Sequence, residues 1–145
     1  MAKTDIANGA THPATYVAWT QTLLATSASL YFSEIAGYLP CLLCWYQRIA
    51  MYPLVIILAV GILRRDRKVY QYVLPLAIIG ALVASYHALL YYGVVPESEQ
   101  TCRAGVSCTT EYVSYLGFIT IPLLSLTAFL VVIACMVLLW KTAKK

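Results

Sequence analysis

A chain of 145 residues that is 61% hydrophobic and 11% charged, with a mean hydropathy of +0.76, has too few polar side chains to clothe a soluble domain of its size. Its formal charge of +4 is bunched into short clusters, which leaves long stretches almost uncharged. A soluble domain is excluded, no nucleic acid is needed to explain the charge, and an integral membrane protein remains.

Four runs, in chain order Pro13–Ile35, Leu42–Leu63, Val69–Tyr92 and Tyr115–Trp140, each hold about 20 residues or more, enough for a helix to cross a ~30 Å hydrocarbon core. Backbone polar groups must be satisfied within lipid, so the runs are expected to be helices. In the first, TLLATSAS has the small residues of a signal-peptide cleavage site. Before it stands only Lys3, offset by Asp5, and the apolar run continues through Leu30–Phe32, so a retained helix is the expectation. Lys3, the cluster Arg64, Arg65, Arg67 and Lys68, and the trio Lys141, Lys144 and Lys145 put eight of ten basic residues on one side of a four-pass chain. Both termini are thereby expected in the cytoplasm, with the loops around 36–41 and 93–111 outside. The expected fold is all-α: one antiparallel four-helix transmembrane bundle forming a single domain over 1–145. Gly61, Gly80, Ala81 and Ala84 suit close helix packing, and Pro53, Pro75 and Pro122 are expected to bend or begin helices. His12 receives no role.

The five cysteines divide unequally. Cys135 lies deep in the fourth run and reads as a small hydrophobe. Cys41 and Cys44 (PCLLC), with Cys102 and Cys108 (CRAGVSC), are brought to the outer face, where disulfides persist. Cys102 and Cys108 taken alone read as a staple across their loop. A CxxC pair at a helix start makes a small strained ring, more suited to redox exchange than to stapling. A tetrahedral zinc site from all four thiolates is the other option, although five residues between Cys102 and Cys108 exceed common zinc-knuckle spacing. With a helix beginning at Leu42, Cys41, Cys44 and Arg48 stand at i, i+3 and i+7 and form one stripe. The helix N-terminus and Arg48 both favour thiolate. Arg48 lies about 10 Å below Cys41. An ionisable residue at such depth either snorkels back to the headgroups or meets a ligand living in the membrane. A quinone fits the second role, because a fixed guanidinium stabilises the charge that develops on its oxygens. Gln47 offers a further polar contact.

The run PCLLCWYQRIAMYPL, with a second cysteine pair in the loop between the third and fourth helices, closely resembles the DsbB disulfide-bond formation family. The short CRAGVSC loop looks most like its compact BdbC-type members. The resemblance spans essentially the whole chain, and CxxCWYQR is its most specific part. It implies a bacterial cell-membrane enzyme that reoxidises an extracytoplasmic thioredoxin-fold thiol oxidase (DsbA- or BdbD-like) and passes the electrons to menaquinone or ubiquinone. The disulfide relay through a quinone is itself a general example of how the bacterial periplasm is kept oxidising. By resemblance, Cys102 is the partner-linked cysteine, Cys108 exchanges with Cys41, and Cys44 faces the quinone. Arg48 then matches the quinone-site arginine, and His87 a histidine near the quinone. With only five residues between Cys102 and Cys108, the loop leaves those thiols less freedom to separate than in longer members, and it brings the partner close to the membrane.

A membrane scaffold or zinc-binding protein with structural cysteines is the alternative reading. A channel is disfavoured, because apart from Glu34 at the outer end of the first run, His87 is the only His, Asp, Glu, Lys or Arg in the first, third and fourth runs. A vitamin K epoxide reductase-like enzyme would carry its CxxC at the end of the last helix, whereas here the pair opens the second.

Overall fold

Residues 12–95 and 120–143 are described by the structure, a computed structural model; Cys102 and Cys108 lie outside the described residues. Every regular element among the described residues is helical. Helix α1 is Pro13–Leu30, followed by a π-helical turn Tyr31–Ile35, then α2 Leu42–Leu63, α3 Tyr70–Tyr91 and α4 Ile121–Ala143.

Local chemistry sets the boundaries. Pro13 opens α1, where its missing N–H costs nothing, and the ring of His12 accepts a hydrogen bond from the Ala14 N–H at 3.2 Å. His12 is therefore a helix cap. The first run was expected to be one helix to Ile35; instead its last turn widens, with the Ala36 N–H reaching back five residues to the Tyr31 carbonyl at 3.0 Å. Beyond it, Gly37 takes a φ of +72°, which a side chain would resist. Cys41 then caps α2 in an extended conformation, its Sγ accepting from the Cys44 N–H at 3.4 Å. Between α2 and α3 the chain turns within six residues, where the Asp66 carboxylate accepts from the Lys68 N–H at 2.8 Å. Pro53 and Pro75 lie inside α2 and α3, and Pro122 is the second residue of α4.

The helices form a ring in which α2 packs on α3, α3 on α4, and α1 against both α4 and α2. Lipid tails are as apolar as leucine, so close packing, not exclusion of water, must hold such helices together. The interior reflects this. Ala14, Ala18, Ala77, Ala84 and Ala128 are buried beside Leu54, Leu58 and Phe129, while Ile56, Leu63 and Leu82 point outward. Gly80 lets α4 come close enough for the Phe129 ring to lie where a Cβ would stand. Gly61 does the same for Val69, whose Cγ2 would sit 2.6 Å from an added Cβ. Cys135 is packed within this core.

Helices α2, α3 and α4 are long and apolar enough to cross a membrane. Helix α1 is shorter, at 18 residues, and carries seven Thr, Ser and Gln residues. Part of that polarity is hidden within the helix, since the hydroxyls of Thr20 and Thr22 donate to the carbonyls of Tyr16 and Trp19. The chain is an all-helical membrane protein.

Candidate functional site

The beginning of α2 brings two thiols onto one face because positions 41 and 44 are about one helical turn apart. Both are free, with Sγ atoms 2.9 Å apart; Cys41 is buried and Cys44 half-buried. His87, from the far part of α3, completes the group: its Nε2 lies 3.7 Å from Cys41 Sγ. The other ring nitrogen, Nδ1, is 3.0 Å from Gln47 Nε2. Gln47 Nε2 can only donate, so Nδ1 is the acceptor and the ring proton sits on Nε2, aimed at Cys41. Gln47 and His87 are 6% and 3% exposed, so the bond between them satisfies polar groups on two buried side chains at once.

Three donors thus converge on Cys41 Sγ: the Cys44 thiol, His87 Nε2–H and the Cys44 backbone N–H. The hydrogen bond from the Cys44 thiol, then His87, hold the Cys41 thiol well below the usual thiol range, against burial, which pushes it up. Cys41 is accordingly the thiolate of the pair.

Arg48 follows one turn below Cys44. Its guanidinium reaches across to α1, where Nε donates to Ser29 Oγ at 2.9 Å and Nη2 to the Ser29 carbonyl at 3.0 Å; its carbon lies 5.5 Å from the centre of the Trp45 ring. Both acceptors are neutral, and three of the five guanidinium protons remain for other acceptors. The charge is therefore held in place by α1 but not neutralised by it.

These groups share one cavity of about 180 Å³, walled by Cys41, Cys44, Gln47, Arg48 and His87 together with small and apolar residues of α1 and α4 and with aromatic rings from the π turn, the loop after it, α2 and α3. Phe32 and Tyr38, stacked at 5.9 Å with planes 14° apart, form part of its wall. Tyr52, one further turn along α2, also lines it, and its buried hydroxyl has no hydrogen-bond partner. The cavity thus unites the sequence-predicted Cys41, Cys44, Gln47, Arg48 and His87. Cys102 and Cys108, expected beside them, lie outside the described residues. Sequence reasoning missed Tyr52 and Ser29. The i, i+4, i+8 spacing of Cys44, Arg48 and Tyr52 is a signal for the first. Ser29 has none, being one of several hydroxyl residues in α1.

A dithiol at the end of a helix in a membrane bundle, with one thiolate stabilised by a buried histidine and a fixed cation beside it, defines a membrane thiol–disulfide oxidoreductase. The comparisons agree. The profile described as "Disulfide bond formation protein DsbB" matches residues 12–139, and the chain belongs to the DsbB family. It is similar to "Disulfide bond formation protein C" of Bacillus subtilis, 47% identical over 129 residues that cover 86% of this chain and 90% of that one. "Probable disulfide formation protein C 1" of Bacillus anthracis is 41% identical, covering 84% of this chain and 88% of its own. "Probable disulfide formation protein C" of Halalkalibacterium halodurans is 44% identical, covering 83% and 88%. No solved structure matches the chain. Its role is in disulfide bond formation.

Proposed function

We propose that the chain reoxidises an extracytoplasmic thioredoxin-fold thiol oxidase by thiol–disulfide exchange and delivers the electrons to a membrane quinone, menaquinone or ubiquinone. The observation that carries this reading is the apolar cavity walled by the dithiol and by the Arg48 guanidinium, which meets no counter-charge among the described residues. Such a lining suits an apolar ring that presents oxygen acceptors and reaches the site from lipid.

The topology proposed is a single four-pass antiparallel domain in the bacterial cell membrane, with both termini cytoplasmic. Helix α1 and its π turn together give 23 helical residues from Pro13 to Ile35, about 34 Å of length, enough for the fourth crossing. The outer loops then carry Cys41 and Cys44 on one side and Cys102 and Cys108 on the other.

In this scheme the partner's thiolate attacks the Cys102–Cys108 disulfide at Cys102, and the freed Cys108 attacks the Cys41–Cys44 disulfide at Cys41. Cys44 leaves as the thiol next to Arg48. The partner's second thiolate then releases Cys102, which attacks Cys108 and frees Cys41, so that the Cys102–Cys108 disulfide is restored and Cys41 and Cys44 are left reduced. What a bound quinone supplies is acceptance of the two electrons given up as the Cys41–Cys44 disulfide re-forms; with Cys41 already a thiolate, the Cys44 thiol gives up one proton and the second comes from solvent. Arg48, fixed by Ser29, aims its remaining N–H donors at an acceptor oxygen. His87 Nε2–H holds Cys41 as thiolate, and the aromatic wall keeps water from the reacting sulfurs.

The test uses purified, metal-free, fully reduced protein in detergent. Quinone is added, free thiols are counted by alkylation and mass spectrometry, and quinol is measured. Loss of the four loop thiols, with one quinol formed per pair, is expected. Loop thiols that remain reduced overturn the reading.

A further inference from the structure

The same dithiol can engage something other than a disulfide. We propose that, when reduced, Cys41, Cys44 and His87 form a binding site for a thiophilic divalent cation of the Zn²⁺ class, and that occupancy locks the pair in its reduced state.

Geometry carries the argument. One ligating atom from each of the three residues lies within 4.8 Å of the other two. A tetrahedral zinc with Zn–S of ~2.3 Å and Zn–N of ~2.0–2.1 Å sets its donor atoms roughly 3.5–3.8 Å apart. Cys41 Sγ and His87 Nε2 are already 3.7 Å apart, and the two sulfurs, at 2.9 Å, need to separate by less than about 1 Å. Cys44 is the half-buried member, so its side chain can make that movement toward the cavity. Two sulfurs and one imidazole nitrogen leave a fourth position open on the cavity side, for water or another ligand.

Charge and proton balance favour the same class of ion. Each ligating thiol gives up its proton as the metal–sulfur bond forms. A divalent cation with two thiolates and a neutral imidazole is therefore electrically neutral, the state that least resists a poorly hydrated pocket. His87 can ligate through Nε2 only if its proton moves to Nδ1. A half-turn of the buried Gln47 carboxamide presents Oε1 to that Nδ1–H, which is the outer partner that metal-bound histidines ordinarily have. Among the described residues no carboxylate takes part, so the site offers hard cations such as Mg²⁺ and Ca²⁺ poor donors.

The functional consequence follows from competition. Sulfurs bound to the cation cannot bond to each other, and sulfurs bound to each other are no longer thiolates. The site binds only the dithiol form, and a bound cation stops electron flow until a stronger chelator removes it. None of this requires the quinone reading, because binding is an equilibrium of the quinone-free protein.

The experiment titrates Zn²⁺, in competition with a chromophoric chelator, into full-length Cys102→Ser/Cys108→Ser protein in detergent, so that only Cys41 and Cys44 remain as loop thiols. The expected result is one equivalent per chain for the reduced protein and none after oxidation to the Cys41–Cys44 disulfide. Cys41→Ser should abolish binding, and His87→Ala and Gln47→Leu should each weaken it by tenfold or more (~10-fold is the lower end for such partners). Should any variant fold poorly, Zn²⁺ protection from alkylation is read on the unaltered chain, with Cys41 and Cys44 expected to be protected. Absent binding by the reduced double variant, equal binding by the oxidised form, affinity indifferent to His87, or protection confined to Cys102 and Cys108 would each overturn the proposal.

Discussion

The two halves of the bundle interior solve opposite problems. Around Gly80 and Phe129, α3 and α4 are pressed together until the ring occupies the space of a missing Cβ, and nothing polar intervenes. Around Cys41 and Arg48, α1 and α2 meet through a guanidinium and a serine, and a cavity opens between them. In lipid the first arrangement gains its stability from contact, since exclusion of water contributes nothing between helices. The second forgoes contact and keeps polar groups in fixed positions around an opening. One region holds the fold; the other is free to do chemistry because the first does not depend on it.

The comparison breaks most visibly at Arg48. Arg48→Met keeps the bulk of the side chain and removes every donor, so quinone turnover should fall about 10²-fold, while melting of the detergent-solubilised protein changes little. A variant that melts far earlier but turns over normally when cold would make Arg48 a structural clasp between α1 and α2. At the other region the pattern should invert. Gly80→Leu forces the Phe129 ring out of its site and should lower stability by about 1–3 kcal/mol in a denaturation titration. Protein that remains folded should turn over at close to the normal rate. If turnover falls in step with Arg48→Met, the two regions are not independent.

Ser29 sharpens the distinction between the charge and its aim. Ser29→Ala removes the hydroxyl that accepts from Nε, although the main-chain carbonyl still accepts from Nη2. Loss of one bond to a charged group should raise the quinone KM about tenfold. Ser29→Thr, which restores the hydroxyl, should recover most of that loss, an outcome that a purely spatial role for Ser29 would not produce.

The Cys41 thiol should carry a pH signature. Its folded value lies below the ordinary thiol range, so the thiolate persists at acid pH and is lost only as pH falls through that lowered value. His87→Phe deletes one of the donors to Cys41 Sγ. Alkylation of Cys41 in reduced protein should then be lost at higher pH, with the midpoint moving up by about one pH unit. An unchanged midpoint would leave the Cys44 thiol and the helix start as the whole cause.

Much of this was legible in the chain before folding, and the reasons differ by residue. Helix α2 begins at Leu42 with Cys41 capping it, as the PCLLC run and its proline predict. The stripe of Cys41, Cys44 and Arg48 follows from that start alone. Gly80 was readable as a close approach because a glycine amid isoleucines and alanines has few other uses in a membrane helix. His87 was readable only as a depth, since its contacts with Gln47 and Cys41 come from residues 40 and 46 positions away. No periodicity encodes such pairings. The break in the first run after Leu30 was missed because a π turn adds one residue to a turn without altering composition. Helix α1 is the least apolar of the four, and the hydroxyls that dilute its hydropathy include the one that positions Arg48.

Tyr52 gives the finest test of the cavity as a binding site. A buried hydroxyl without a partner costs free energy in the empty protein and repays nothing unless something arrives to bond it. Tyr52→Phe removes that cost, so the variant should melt slightly above the parent in quinone-free detergent. If the hydroxyl turns to a bound quinone, the variant should lose about two- to five-fold in apparent quinone affinity, the worth of one neutral hydrogen bond. The two shifts must have opposite signs. A variant that is more stable and binds quinone equally well would mean that the buried hydroxyl does not serve the cavity, leaving Arg48 as the charged donor from α2.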